Sequence, residues 1–306
     1  MSEQRVEHRW TRPQLLYDET EARGTATCDM VAAAARKGVT DFFAREAKRL
    51  GYVARSALKL SEMHAKFGVL DAGRASARVL DLGCHPGAWL QVACRHLKPD
   101  AAVLGVDLSE TDASALRFVD GRVRTARRDV FHLDEPAVRR IMSEGGWASA
   151  PDSESATNHP GGGGGGRGVF TTILSDMAPS TTGNRTTDAA RSYDLAEHAV
   201  RLALGDAALD ILDSGSDRDA EDDDPSLAFD SPAVDARPAG LLRVGGSLVV
   251  KLLEGPGGGR EDLQAACKPN FDSVRWFRPK ATRRESTEVF LVARGRRSAP
   301  RAGKKT

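Results

Sequence analysis

Four charged residues stand where charge is costly. Lys251 lies inside the apolar run Leu248-Val249-Val250-Lys251-Leu252-Leu253, and Asp176 follows the run Val169–Leu174. Glu288 opens a run that continues to Ala293, and Lys59 sits between Leu58 and Leu60. A charge among apolar side chains needs a partner or a function. If Asp176 and Lys251 end neighbouring parallel strands, they meet in the crevice where open sheets bind ligands. A lysine desolvated there can have its pKa lowered enough to act as a base. A structural ion pair at a strand end explains any one of these residues about as well; taken together they favour the functional reading.

A second stretch could hold a ligand. Val79-Leu80-Asp81-Leu82 is a short apolar run with an acid near its end, followed by Gly83-Cys84-His85-Pro86-Gly87-Ala88-Trp89. Gly83 and Gly87, four apart, let the backbone turn and approach a ligand that side chains would exclude. The spacing is neither Gly-x-Gly-x-x-Gly nor a P-loop. With an acid inside it, the turn suits S-adenosylmethionine (SAM), whose methionine end carries an amine and a carboxylate. A tight strand-to-helix turn with no ligand is the plainer alternative. The next apolar run, Ala102–Val106, ends at Asp107. An acid there accepts hydrogen bonds from ribose hydroxyls in nucleotide folds; a local cap involving Ser109 is the competing reading. His85 has no assigned role.

The elements that must position these residues can be read from periodicity. Residues 40–67 carry apolar positions at helical spacing among basic ones, and Gly51 splits them into two helices, the second starting near Arg55-Ser56. Helices are expected over Ala88–Leu97, Asp134–Met142 and about Asp188–Leu212, and strands over 79–82, 102–106, 123–126, 169–174, 247–253, 273–277 and 287–293. Strands alternating with helices predict an α/β fold, a doubly wound and mostly parallel sheet. Residues 144–168, with six consecutive glycines, and the acidic 213–238 read as flexible insertions that interrupt the motifs without contributing to any and are dispensable for catalysis. Residues 1–38 read as a poorly ordered extension and 297–306 as a basic tail.

The charge balance hides an asymmetry. Residues 206–235 hold eleven acids and one base, net −10, so the remainder of the chain carries +11 against an overall +1. A basic body points to an anionic partner; Arg45, Lys48, Arg49, Arg55 and the Arg283-Arg284 pair are the candidate contacts, against a merely solvated face. The four cysteines have neither zinc-site nor disulfide spacing. No apolar run is long enough to span a membrane. The N-terminal extension is too rich in acids for a convincing transit peptide, which leaves the compartment open between an organelle and the cytoplasm.

Five motifs in order resemble one family. Arg55-Ser56-Ala57-Leu58-Lys59-Leu60, Asp81-Leu82-Gly83 through Trp89, Ser175-Asp176-Met177-Ala178-Pro179, Gly245-Gly246-Ser247 through Lys251, and Ser286-Thr287-Glu288-Val289 are similar to the FtsJ/RrmJ-type RNA ribose 2′-O-methyltransferases. The resemblance spans residues 40–296 and implies a Rossmann-like, seven-stranded sheet with an antiparallel last strand. It places a catalytic Lys-Asp-Lys-Glu tetrad on Lys59, Asp176, Lys251 and Glu288. It places SAM on Gly83, Gly87, Trp89, Asp107, Asp129 and Asp176, with Asp107 on the ribose and Asp129 on the adenine amine. Lys251 would take the proton of the attacking 2′-hydroxyl, with no metal required. The chain departs from the family at Leu58, Cys84-His85 and Ala88, none a tetrad position.

The expected function is therefore SAM-dependent ribose methylation of RNA, ribosomal RNA first, by a soluble monomer. The alternatives are tRNA or an mRNA cap as substrate, a non-catalytic RNA-binding assembly factor, and a small-molecule methyltransferase.

Overall fold

The computed structural model describes residues 42–70, 76–144, 168–206, 240–256 and 259–298. The expected N-terminal extension 1–38, residues 145–167 and 213–238 of the two insertions, and the tail beyond 298 lie outside the described residues.

Seven strands form one sheet: β1 (Arg78–Leu82), β2 (Ala102–Asp107), β3 (Val123–Arg127), β4 (Phe170–Ser175), β5 (Leu242–Leu253), β6 (Phe271–Phe277) and β7 (Glu288–Arg296), in the order β3-β2-β1-β4-β5-β7-β6. Pairs β3–β2, β2–β1, β1–β4 and β4–β5 are parallel. β7 runs antiparallel to both neighbours, which makes the sheet mixed at that edge. The chain leaves β1 toward β2 on one side and returns through β4 on the other, so the C-terminal ends of β1 and β4 flank the switch point where such sheets bind ligands.

Two apolar layers cover the sheet. Helix α1 includes residues 42–49 and α2 spans Ser56–Phe67; with α3 (Ala88–His96) they pack on one face through Ala47, Leu60, Met63, Leu90, Val249 and Phe290. On the other face lie α4 (Glu135–Glu144), α5 (Arg185–Leu204) and α6 (Arg260–Cys267), packed against Leu80, Leu104, Ile173 and Leu248.

The elements follow the periodicity with informative exceptions. α5 begins at Arg185 because Asn184 caps it, its Oδ1 accepting from the amides of Thr186 at 3.0 Å and Thr187 at 3.2 Å. β5 begins at Leu242, five residues earlier than expected: the pairing slips from Phe170–Leu242 to Thr172–Ser247, and a bulge absorbs Gly245-Gly246. α6 has no counterpart in the expected elements. No helix among the described residues is long and apolar enough to cross a membrane.

Three histidines make the fold sensitive to acid. Desolvation, helped by neighbouring cationic or histidine side chains, lowers the pKa of His64, of His96 (to about 4) and of His198. The rings of His64 and His96 lie 4.5 Å apart, centroid to centroid, between α2 and α3. In the unfolded chain each takes its proton near pH 6.5, so between that pH and about 4 the unfolded state binds more protons. This contribution is complete above pH 6.5 and lost as the pH falls below it. The melting temperature should fall from pH 7.5 to pH 5, and His96→Gln should flatten the drop; identical profiles for both proteins would contradict this assignment.

Candidate active site

Strand register brings the charged residues together. Asp81 pairs with Leu174, Ser175 with Val250, Lys251 with Phe290 and Leu253 with Glu288. Side chains alternate between faces along a strand. Asp81, Asp176, Lys251 and Glu288 therefore fall on the face covered by α2 and α3, the face that also carries Val249 and Phe290. Lys59 reaches this face from α2, between the buried Ala57 and Leu60.

The four residues form two ion pairs. Lys251 Nζ donates to the main-chain carbonyl of Asp176 at 2.5 Å and lies 3.1 Å from Asp176 Oδ1. That carboxylate oxygen makes no directed hydrogen bond, so the contact is chiefly one of charge. Lys59 Nζ lies 2.5 Å from Glu288 Oε1 and 5.8 Å from the centre of the Phe290 ring. Lys59, Lys251 and Glu288 are 8%, 7% and 8% exposed. Burial by itself would raise the pKa of Glu288, but the Lys59 ammonium, with Lys251 beyond it, holds the group below the ordinary range. The cation of one pair thus acts on the anion of the other, and the four charges form a single cluster.

The glycine turn lies at the switch point. Gly83 has φ +77°, and a Cβ there would stand 2.8 Å from Met177 Cγ. Gly87 starts α3 at φ +104°, where a Cβ would collide with Leu116. Both positions need glycine for conformation as well as space. Trp89 is buried rather than presented to the crevice. Its indole Nε1 donates to the Ser56 carbonyl at 2.9 Å, its ring packs at 5.9 Å from Phe290, and it holds the start of α2 against α3.

The two outer acids organise their own loops. Asp107 accepts from the amides of His85 and Ser109 at 2.9 and 2.8 Å, which ties the glycine turn to the end of β2. Only the Ser109 bond is local, the one the capping reading named; the His85 bond spans 22 residues, and each carboxylate oxygen retains a lone pair for a ligand hydroxyl. Asp129 Oδ1 accepts from the amide of Phe131 at 3.0 Å. Two apolar side chains stand exposed beside these acids: Leu108 at 65% and Phe131 at 52%.

The most informative residue is the acid of the glycine turn, which the sequence reading noted but did not place among the assigned SAM contacts. Asp81 is 1% exposed, and neither carboxylate oxygen has a hydrogen-bond partner among the described residues. Burial, reinforced by the charges of Asp176 and Asp107, raises its pKa well above the usual range. An orphaned buried carboxyl is rare; next to a glycine turn it fits a ligand ammonium such as the amine of SAM. The signal was visible as an acid inside a buried strand. Burial, with Asp81 nearby, pushes up the thiol of Cys84 in the same turn, which disfavours the thiolate.

An unpaired carboxyl in the fold costs stability, and a ligand ammonium would offset that cost. Asp81→Asn removes the buried charge and its repulsion by Asp176 and Asp107, and should raise the melting temperature of the ligand-free protein at neutral pH. It should weaken SAM affinity about tenfold to a hundredfold, the worth of a charged hydrogen bond. Thermal melting without ligand and calorimetry with SAM measure the two effects; a lower melting temperature with unchanged affinity would make Asp81 a structural residue only.

Comparison with known proteins agrees with this geometry. Residues 52–296 match the family model of the FtsJ-like methyltransferases. The chain is 32% identical over 261 residues to ribosomal RNA large subunit methyltransferase E of Nitratidesulfovibrio vulgaris, covering 85% of this chain and 95% of the relative. It is 31% identical over 276 residues to the protein of the same name from Cereibacter sphaeroides, covering 87% and 85%. A crystal structure from Plasmodium falciparum, of a protein provisionally named a ribosomal RNA methyltransferase, superimposes with a TM-score of 0.50 at 19% identity, covering 80% of this chain and 98% of that one, and shows the same fold. The chain belongs to the FtsJ-like methyltransferase family, whose cofactor is SAM.

Proposed function

We propose that this chain transfers the methyl group of SAM to a ribose 2′-hydroxyl in ribosomal RNA, using Lys59, Asp176, Lys251 and Glu288. The observation that carries the reading is the enclosed cluster of two ammonium and two carboxylate groups at the open ends of β4 and β5, one strand from the glycine turn. The names of the relatives in Nitratidesulfovibrio and Cereibacter support ribosomal RNA as the substrate class.

Bound SAM supplies a methyl group on a sulfonium, which needs no further activation. The protein must then hold the acceptor oxygen in line and remove its proton. Lys251 Nζ acts as the base in its neutral form: it first gives its own proton to solvent, and the free amine then takes the proton of the 2′-hydroxyl as the oxygen attacks. The Asp176 carbonyl and carboxylate fix the direction of Nζ through the 2.5 and 3.1 Å contacts. Lys59 and Glu288 hold the hydroxyl from the other side, and their mutual pairing keeps either from turning onto Lys251. Enclosure of the cluster replaces mobile water with fixed dipoles, where charge contacts are stronger. Asp107 and Asp129 hold the ribose and adenine of the cofactor, and Gly83 and Gly87 leave room for its methionine end.

The RNA contact is electrostatic. Lys48 in α1 and Arg283 and Arg284 beside Glu288 are exposed, and Arg49, paired with Glu46 at 2.7 Å, stands among them. Phosphates of a structured RNA fit such a surface better than a small uncharged substrate does.

Lys251→Ala should lower the methylation rate by about 10²–10⁴, the usual worth of a general base, while SAM affinity stays within about twofold. Lys251→Arg is the sharper variant, since it keeps the charge and reach but cannot give up its proton. Single-turnover methylation of ribosomal RNA with labelled SAM reads both. Near-normal transfer by Lys251→Arg would make the lysine an electrostatic anchor and rule out the base.

A further inference from the structure

Glu288 is delivered to the site by the connection between β6 and β7, and one side chain at the base of that connection holds it in shape. The Arg278 guanidinium is ringed by main-chain carbonyls: Nη2 lies 2.5 Å from Ser286 O, 3.2 Å from Arg283 O and 3.5 Å from Arg284 O, and Nη1 lies 3.5 Å from Glu288 O. Within the loop, the Glu288 amide donates to Ser286 Oγ at 3.3 Å, and turn bonds join Thr282 N to Pro279 O at 3.0 Å and Ser286 N to Arg283 O at 3.2 Å.

The same loop is gripped from outside by α2 and its first turn. Arg55 Nη2 donates to the Ala281 carbonyl, and Glu62 Oε2 accepts from the Lys280 amide at 2.8 Å. Arg55, Lys59 and Glu62 follow the i, i+4, i+7 spacing of one helical face. One face of α2 therefore holds the loop on either side of the Lys59–Glu288 pair, and Arg278 holds it from within.

Four carbonyl oxygens turned toward one point repel each other unless a cation sits between them. Guanidinium fits because it offers five donors in a fixed plane. Among the described residues, the hydrogen-bond partners of Arg278 are all such carbonyls. We propose that Arg278 is a positioning residue for methyl transfer: it fixes loop 279–287 so that Glu288 meets Lys59, and it acts on the reaction only through Glu288. The role rests on the function proposed above, and it also sets where the exposed Arg283 and Arg284 stand relative to the acceptor hydroxyl.

The test is a double-mutant cycle on the full chain, with ribosomal RNA and labelled SAM. Arg278→Ala should lower kcat about 10- to 100-fold, the cost of misplacing a group by about an ångström. The KM for SAM should stay within about twofold, because Asp81, Asp107 and Asp129 lie across the sheet from this loop. Arg278→Lys, which keeps the cation but not the planar fork, should recover part of the rate. In the Glu288→Gln background, Arg278→Ala should cost no more than about twofold further, as expected for residues acting as one unit. A further tenfold loss in that background would show that Arg278 acts independently, and an unchanged kcat for Arg278→Ala would overturn the positioning role. If Arg278→Ala does not fold, the Lys variant alone decides: wild-type kcat for it would equally overturn the role. A wild-type protein that transfers no methyl group to RNA would instead count against the proposed function itself.

Discussion

A lysine ammonium enclosed in the apolar face of a sheet must find, within a few ångströms, the charge and hydrogen bonds that water would have supplied. Lys251 finds them only if β4 ends level with it, so that both the carbonyl and the carboxylate of Asp176 come within reach of Nζ. Lys59 finds them only if α2 lies across β5 and β7 with Glu288 beneath it. Glu288 in turn stands opposite Leu253, two residues from Lys251, because β7 is antiparallel to β5. The reversed strand that breaks the parallel pattern is thus the one that completes the cluster.

Stability alone does not account for such a cluster. Replacing a buried ion pair with apolar side chains of similar size is often neutral or stabilising, whereas removing one partner costs about 3–5 kcal/mol. Asp81 adds a carboxyl with no partner in the fold. Five charged residues at one end of the sheet are held against the tendency of the core to exclude them. The apolar layers carry the compensation: Trp89 on Phe290, and Leu60 and Met63 beneath α2. Enclosure of the four clustered charges and loss of stability are two consequences of one arrangement.

Much of this was legible in the chain. The sheet, its helices and the crevice follow from alternating apolar runs, and Lys251 stood out because nothing else in the run from Ser247 to Leu253 is charged. Trp89 reads differently in three dimensions: the residue after a ligand-binding turn is here a brace for α2, since its ring fits between α3 and Phe290. Asp107 makes one local bond, from Ser109, and one from the glycine turn, and it keeps lone pairs for a ligand, so its two readings do not exclude each other. Asp81 was visible as an acid in a buried strand, but its isolation depends on what lies across β4 and β2, which periodicity does not report. α6 escaped because Leu263, Ala266 and Cys267 make too short an apolar stripe to register. The carbonyl ring around Arg278 involves main-chain atoms five to ten residues away, and no residue pattern encodes it.

The central claim is chemical: the transferred methyl group ends on a ribose oxygen. Cleavage of RNA by alkali requires a free 2′-hydroxyl, so methylation at that oxygen protects the adjacent phosphodiester. Ribosomal RNA labelled by the purified protein with radioactive SAM should, after complete alkaline hydrolysis, carry its label in resistant dinucleotides. Label recovered instead in mononucleotides would place the methyl group on a base and contradict the account.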